Sequence, residues 1–380
     1  MSALQTRPAL LVALAAMAFL TASPAGAQVV AGGGGDYLGY SFEDGLGAEA
    51  AQLLMIPVAV RISATERLDL EFFSAWAEGR VEQSDMVLSL SGPVDTNVKA
   101  SYQATPWAVV SVGANLPTGN SKHNGEEAIV ASVLSTDLLG FGEASWGTGF
   151  AITSSIASAA TVGGFGVGVA AAYAARSSFE PSEDVAVSFQ PGNEKRIRVG
   201  VDRNFGTSTL TAGATLINYS QDKAGDRNLF QAGNRIRLDA AYAFRAGAGV
   251  WTLYAADLMR SNGDLFVDIV DESGTAIGDT IVATAKQNLI VGGFMGTVAL
   301  GGGFVFRPHV DYKMQMREEA DGGDAGSGWI LAAGGDVPIR ISGHDFFPKA
   351  RVYVGSIRDL AGGDVGLLGV ELKGTIRTTF

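Results

Sequence analysis

The chain has 380 residues with 39 acidic against 27 basic side chains, a formal net charge of −12 and no cysteine. The acidic balance argues against a nucleic-acid partner, and without cysteine neither a disulfide framework nor a thiolate metal site can form. Hydrophobic residues reach 47%, charged ones 17%, and glycine occurs 51 times, a mixture too even for helical membrane spans and suited to closely packed strands and turns.

At the N-terminus Arg7 precedes an apolar run from Ala9 to Leu20 and the small residues Ala25-Gly26-Ala27. The run is too short to cross a bilayer, and its flanks predict a secretory signal peptide over 1–27, cleaved before Gln28. A short N-terminal segment, 28–36, then leads into a barrel over 37–380.

Period-two alternation predicts strands near 37–43, 51–63, 67–81, 93–103, 106–116, 148–158, 163–175, 194–205 and 207–220. It predicts others near 233–245, 248–260, 284–298, 303–316, 328–341, 346–358 and 365–380. Residues 154–175 carry no charge but do not read as a helix, because Gly163, Gly164, Gly166 and Gly168 would each cost roughly 1 kcal/mol there. The loose GxGxxA pattern at Gly166 to Ala171 has no helix after it and is not taken as a dinucleotide site.

The connections alternate in length. Short ones lie at 64–66, 104–105, 159–162, 206, 246–247, 299–302 and 343–345, and long ones at 82–92, 117–147, 176–193, 221–232, 261–283 and 317–327. Such a rhythm is expected of an all-β, transmembrane, antiparallel up-and-down β-barrel with short periplasmic turns and long extracellular loops. Sixteen strands are expected, with fourteen as the alternative count. Aromatic residues mark both ends: Trp107, Phe165, Phe205, Phe244, Trp251, Phe304, Phe346 and Phe380 lie beside short turns, and Trp76, Trp146, Tyr173, Tyr219 and Trp329 toward long loops.

The final strand, Gly366 to Phe380, fixes an inside and an outside. Its even positions are apolar or small, its odd positions carry Glu371, Lys373, Thr375 and Arg377, and Phe380 resembles the signal read by the barrel-assembly machinery. The same parity predicts a lumen lined by Arg61, Arg196, Arg198, Asp202, Arg235, Arg237, Asp239, Arg307, His309, Asp311, Arg351, Lys373 and Arg377, with Lys99, Lys313, Lys349, Asp69, Glu71 and Glu371 among their neighbours. Two readings stand: opposite charges on adjacent strands stiffen the wall, or a basic constriction favours anionic solutes. The acidic loop residues, among them Glu180, Glu183, Asp184, Asp222, Asp226, Glu318, Glu319, Asp321 and Asp324, are expected to be solvated or bridged by cations to lipopolysaccharide.

Loop 117–147 differs from the others. It carries a helix-compatible stretch from Glu126 to Leu139, in which Glu126 and Glu127 suit a helix N-terminus and Ile129, Val130, Val133, Leu134 and Leu138 cover one face. It is a candidate constriction, rim cover or hydrophobic access site, or it packs on neighbouring loops.

Asn115-Leu-Pro-Thr-Gly119, Leu138-Leu-Gly-Phe141 and Trp146-Gly-Thr-Gly-Phe150 resemble segments of the outer-membrane transporters of the MetA-pathway phenol-degradation type, distantly grouped with fatty-acid-transporter-like channels. The resemblance covers mainly residues 100–250. It implies passive uptake of small hydrophobic or aromatic solutes, but not plug-dependent gating, since so few residues precede the first strand. A mildly anion-selective porin and a loop-displaying scaffold are the alternatives. An enzyme is not expected: there is no GxSxG, and His123, His309 and His344 are scattered over a loop, a strand and a turn. No cofactor or metal is expected, and the partners are outer-membrane lipid, lipopolysaccharide, the assembly machinery and a small solute.

Overall fold

Sixteen strands, each antiparallel to both neighbours, form one sheet that closes on itself. The computed structural model describes residues 28–84, 86–142, 146–247, 249–270, 276–319, 323, 326–359 and 362–380. The expected signal peptide lies outside them, as do Asp321 and Asp324. In chain order the strands are β1 (Gln28–Phe42), β2 (Ala50–Thr65), β3 (Leu68–Gln83), β4 (Met86–Pro93, continuing as Thr96–Thr105), β5 (Ala108–Leu116), β6 (Ala151–Val162), β7 (Phe165–Arg176) and β8 (Glu194–Phe205). They continue as β9 (Ser208–Tyr219), β10 (Arg235–Ala246), β11 (Gly249–Arg260), β12 (Lys286–Gly301), β13 (Phe304–Glu318), β14 (Gly328–Asp336, continuing as Ile339–Ile341), β15 (His344–Arg358) and β16 (Asp364–Thr379). β16 pairs back onto β1, with Lys373 opposite Asp36, and the amide of Phe380 donates to the carbonyl of Val29 at 2.9 Å.

Side-chain exposure follows the alternation. On β16 Leu368, Leu372 and Ile376 are all more than half exposed, whereas Glu371 is 8% exposed. Ile197, Val199 and Val201 on β8 and Ile236 and Leu238 on β10 continue the apolar exterior. In water, contiguous apolar patches larger than a few hundred Å² are rare on a monomer. Around a sheet that closes on itself and so has no free edge, the same belt is what lipid requires.

Several boundaries differ from expectation for local reasons. The segment 28–36 belongs to β1, because the run Gly32 to Gly35 hides the alternation without breaking the strand. Gly34 is needed at the seam: a Cβ there would collide with the carbonyl oxygen of Gly374, while at Gly35 it would meet nothing within 4 Å. Gly34→Val is accordingly expected to lower the yield of heat-modifiable folded barrel by more than about half, and Gly35→Val to leave it near the parent's, as electrophoresis with and without boiling will show. The expected loop 82–92 is mostly strand, since Leu88 and Leu90 face the interior in register with β3. The turn expected at 159–162 lies at Gly163 and Gly164, whose φ values of +59° and +81° suit glycine.

A second sheet was not foreseen. The loops after β7, β9 and β11 contribute Phe189–Gln190, Asp222–Ala224, Arg227–Gln231, Asp264–Val270 and Ala276–Ala283 to a small antiparallel sheet. Phe179 packs edge-on to Phe189 at 5.7 Å beneath it. The aromatic belts hold for Trp107, Phe304 and Phe380 at one end and Tyr173 and Trp329 at the other, all exposed. Trp146 and Tyr219 are corrections: the first is wholly buried inside the barrel and the second stacks beneath Arg235.

Candidate functional site

The infolded loop is anchored at a break in β4. Above it Met86–Pro93 pairs with the upper part of β3, and below it Thr96–Thr105 pairs with the lower part, leaving Asp95 between them. Asp95 is 8% exposed. Its Oδ2 accepts from Asn115 Nδ2 at 2.8 Å and the Thr148 amide at 2.7 Å, and its Oδ1 accepts from the Gly119 amide at 3.0 Å. One carboxylate therefore holds both ends of the connection between β5 and β6, hereafter L3. Trp146 secures the same end by donating its indole N–H to the Ala77 carbonyl at 3.0 Å.

Between these anchors L3 enters the lumen. It forms helix α1 (Gly125–Leu134), capped by Asn124, which accepts from the Glu127 amide at 3.0 Å while Glu127 accepts from the Asn124 amide at 3.1 Å. That reciprocal pair is a capping box, and Glu126 and Glu127 also suit the positive end of the helix dipole. Val130 and Leu134 press onto Gly79 of β3. Beyond the helix, Leu138, Leu139 and Phe141 cross to the opposite wall, where Tyr40 donates to the Leu139 carbonyl at 2.8 Å and meets Phe141 and Tyr353 edge-on at 5.6 and 5.5 Å. Of the candidate constriction residues, Val130, Leu134 and Leu138 are buried and Val133 partly so, while Glu126 and Ile129 are exposed. Their apolar face is taken up by packing on the barrel wall, so most of it does not form an access surface.

The expected lumen residues are found in neighbouring pairs. Arg61 meets Asp69 at 2.9 Å, Arg196 meets Glu194 at 2.5 Å, and Arg198 grips Asp239 through two nitrogens at 2.7 and 2.8 Å. Arg237 approaches the same Asp239 at 3.6 Å. Arg307 and His309 share Asp336 at 3.5 and 3.0 Å, Lys373 meets Asp36 at 2.6 Å, and Arg377 meets Asp345 at 2.8 Å. Arg351 pairs with Asp311 and lies 3.7 Å from Glu371. Asp202 faces Gly166 low in the barrel. Arg235 has its guanidinium 5.6 Å from the Tyr219 ring centre and no carboxylate among the described residues.

The free space runs down the side that L3 leaves open. An upper cavity of about 490 Å³ is lined by Asn115, Thr153, Arg176, Phe179, Glu194 and Arg196. A lower one of about 640 Å³ shares Asn115 and Thr153 and continues past Arg61, Glu71, Lys99 and Arg377. A third, of about 520 Å³, lies between Arg198 and Asp202, where Gly166, Gly168 and Gly200 leave room. The histidines are dispersed: His309 in the wall, His344 hydrogen-bonded to Thr378 at 2.7 Å, and His123 in L3 bridged to Ser182. Burial lowers the His123 pKa below its ordinary value, against the opposing pull of Glu127 and Glu183.

Alternation alone did not reveal Asp95, Arg176, Arg260 or Arg317 as site residues. Asp95 sits in a strand break, and the three arginines lie at strand ends that had been read as loop or left without a parity.

A closed sixteen-strand barrel with an apolar exterior, a charged interior and one infolded loop defines an outer-membrane β-barrel. No protein-family model matches the sequence, and no curated protein matches it. Among solved structures the chain is similar to a loop-deletion mutant of OmpT from Vibrio cholerae, 12% identical over 93% of this chain and 99% of that one, with a TM-score of 0.43. It is also similar to OccK1 of Pseudomonas aeruginosa, 8% identical over 93% and 99%, TM-score 0.45, and to a mutant porin of Rh. blastica, 15% identical over 91% and 99%, TM-score 0.37. At these values the barrel's own geometry, and not its neighbours, carries the class.

Proposed function

We propose that this protein is a diffusion channel for small organic anions, with L3 setting its width and an arginine-rich wall its charge preference. The observation that carries this reading is the cross-strand pairing of Arg235 directly with Arg260. Like charges directly opposite one another are destabilising in an antiparallel sheet, and a wall built only for stiffness would alternate signs. Neither arginine has a carboxylate partner among the described residues; Arg260 donates to Gln287 at 2.9 Å. Their neighbours are undercompensated too, since Glu194 is shared by Arg176 at 3.1 Å and Arg196, and Asp239 by Arg198 and Arg237.

The hydrophobic-solute reading implied by the family resemblance is weaker for the lumen, because the apolar residues of L3 that would receive such a solute are mostly packed against the wall. Reversal potentials in a potassium chloride gradient test the proposal. The parent protein should favour chloride, and Arg235→Glu with Arg260→Glu should lower the chloride-to-potassium permeability ratio by at least about threefold. A parent protein that is unselective, or a ratio unmoved by the double reversal, would overturn it.

A further inference from the structure

The apolar exterior is interrupted on β11. Asp257 stands opposite Leu238 of β10 and Ile290 of β12, and Leu238 is exposed on the lipid side, so this carboxylate faces out of the barrel. Leu253 and Met259 continue the apolar face below and above it. Its Oδ1 is buried without a hydrogen-bond partner, and no cation among the described residues pairs with it. Asn288 of β12, opposite Met259, turns outward too, and its Oδ1 is likewise unpartnered. An ionisable group in the apolar band is costly unless a partner meets it there. Two neighbouring oxygens without a donor suit an ammonium group, which brings three.

Lys195 of β8 supplies such a group. It is exposed and turned outward, opposite Tyr173 of β7, and no carboxylate among the described residues pairs with it. Within one chain it cannot reach Asp257, because β9 and β10 lie between and three strand spacings come to roughly 14 Å. The two groups nevertheless stand at matching heights. Asp257 is eight residues above Gly249 at the foot of β11, and Lys195 ten above Phe205 at the foot of β8. On strands tilted about 40° these are roughly 20 and 25 Å above the turns, in the outer part of the apolar band, a difference that the flexible lysine stem spans.

A two-fold axis along the membrane normal at the β9–β10 seam exchanges the two positions, so a single contact between copies would close both pairs. At that seam Ala212 stands opposite Ala240, with Ala214 next to them on the same face. Small side chains let two walls approach closely in lipid. We infer that the outer face of β8–β11 is the interface of a two-fold dimer of this chain, with Lys195 of each copy on Asp257 of the other. The interface makes no use of L3 or the lumen, so it stands or falls apart from the channel reading.

With no cysteine in the chain, engineered cysteines report contacts without interference. In proteoliposomes treated with a short bis-maleimide, Lys195→Cys combined with Asp257→Cys should yield a cross-linked dimer and nothing larger, whereas either substitution alone should yield none. Energy transfer between labelled copies, followed as the protein is diluted into phosphatidylcholine vesicles, measures the dimer's dissociation constant. Asp257→Lys should raise that constant at least about tenfold, since it sets like charges together in the apolar band. Combining it with Lys195→Asp should restore most of the parent's value. Asp257→Leu should weaken the dimer while the barrel stays fully heat-modifiable, because leucine suits lipid on this face; a carboxylate serving only the fold would give the opposite result. A ladder of products beyond the dimer, equal association of the parent and Asp257→Lys, or no recovery in the swapped variant would overturn the interface. A parent that stays monomeric at every protein-to-lipid ratio would do the same.

Discussion

Gly79→Leu is expected to drive α1 off the wall and to raise single-channel conductance by about twofold or more. Gly79 is an inward position of β3 on which three side chains converge: a Cβ there would stand 2.5 Å from Leu134, 3.0 Å from Trp146 and 3.1 Å from Val130. A leucine adds three more carbons beyond that Cβ, and the strand carrying it is fixed on both sides by β2 and β4. The barrel wall cannot retreat, so the helix must. Overpacking of this kind typically costs 1–3 kcal/mol, and more where nothing can yield.

The alternative lever is Asp95, and magnitudes decide between them. Loss of its carboxylate leaves the backbone amides of Gly119 and Thr148 short of an acceptor, at about 1–3 kcal/mol each, while Asn115 keeps the Gly149 carbonyl at 2.9 Å. Burial of Val130, Leu134, Leu138 and Trp146 each contributes about 1.5–3 kcal/mol toward keeping the loop inside. Asp95→Ala alone should therefore loosen the ends of L3 with a small rise in conductance, and combination with Gly79→Leu should release the loop. Trypsin cleavage after Lys122, measured on the reconstituted protein, should be slow in the parent and in Asp95→Ala and fast in the double variant. Unchanged conductance in the double variant, with L3 demonstrably cut, would mean that L3 does not set the width of the passage.

These expectations show which features alternation reveals. Strand identity and facing follow from side-chain sign at every second residue, so β8, with Ile197, Val199 and Val201 outside and Arg196 and Arg198 inside, is legible from composition alone. The loop rhythm is legible for the same reason, since Gly206 and Gly247 interrupt the pattern where the chain reverses at φ of +64° and +59°. β1 was partly hidden because four successive glycines carry no sign. The upper part of β4 was hidden because Leu88 and Leu90 point at a loop and not at lipid, so both of its faces have a reason to be apolar or small. The destination of L3 was not legible. Its helix face could be read from Val130 and Leu134, but the receptor surface is assembled from Gly79, Ala77, Tyr40 and Tyr353 on distant strands, and its latch is one aspartate in a strand break.

Glu371→Ala is expected to destabilise the barrel by about 3–5 kcal/mol, the usual result of removing one member of a buried ion cluster. Glu371 accepts from Lys349 Nζ at 2.6 Å and from the Tyr353 hydroxyl at 2.6 Å, and Arg351 stands directly opposite it in the sheet. Arg351 keeps Asp311 as a partner, but Lys349, whose side chain is only 22% exposed, has no other carboxylate among the described residues and is poorly rehydrated when Glu371 is lost. The cluster also holds Tyr353 against Tyr40, which carries the hydrogen bond to L3, so the damage should extend to the constriction. Glu371→Gln keeps an acceptor for the tyrosine while losing the charge, and its effect should fall between parent and alanine. Asp239→Asn, in the better-solvated pair with Arg198, should cost less than either because lumen water screens the cation left behind. Guanidinium unfolding of the three variants in lipid vesicles, followed by tryptophan fluorescence, ranks them. If Glu371→Ala unfolds within about 1 kcal/mol of the parent, lumen water must reach Lys349 as readily as it reaches Arg198. The β13–β16 wall would then face an open passage and not the back of a packed loop.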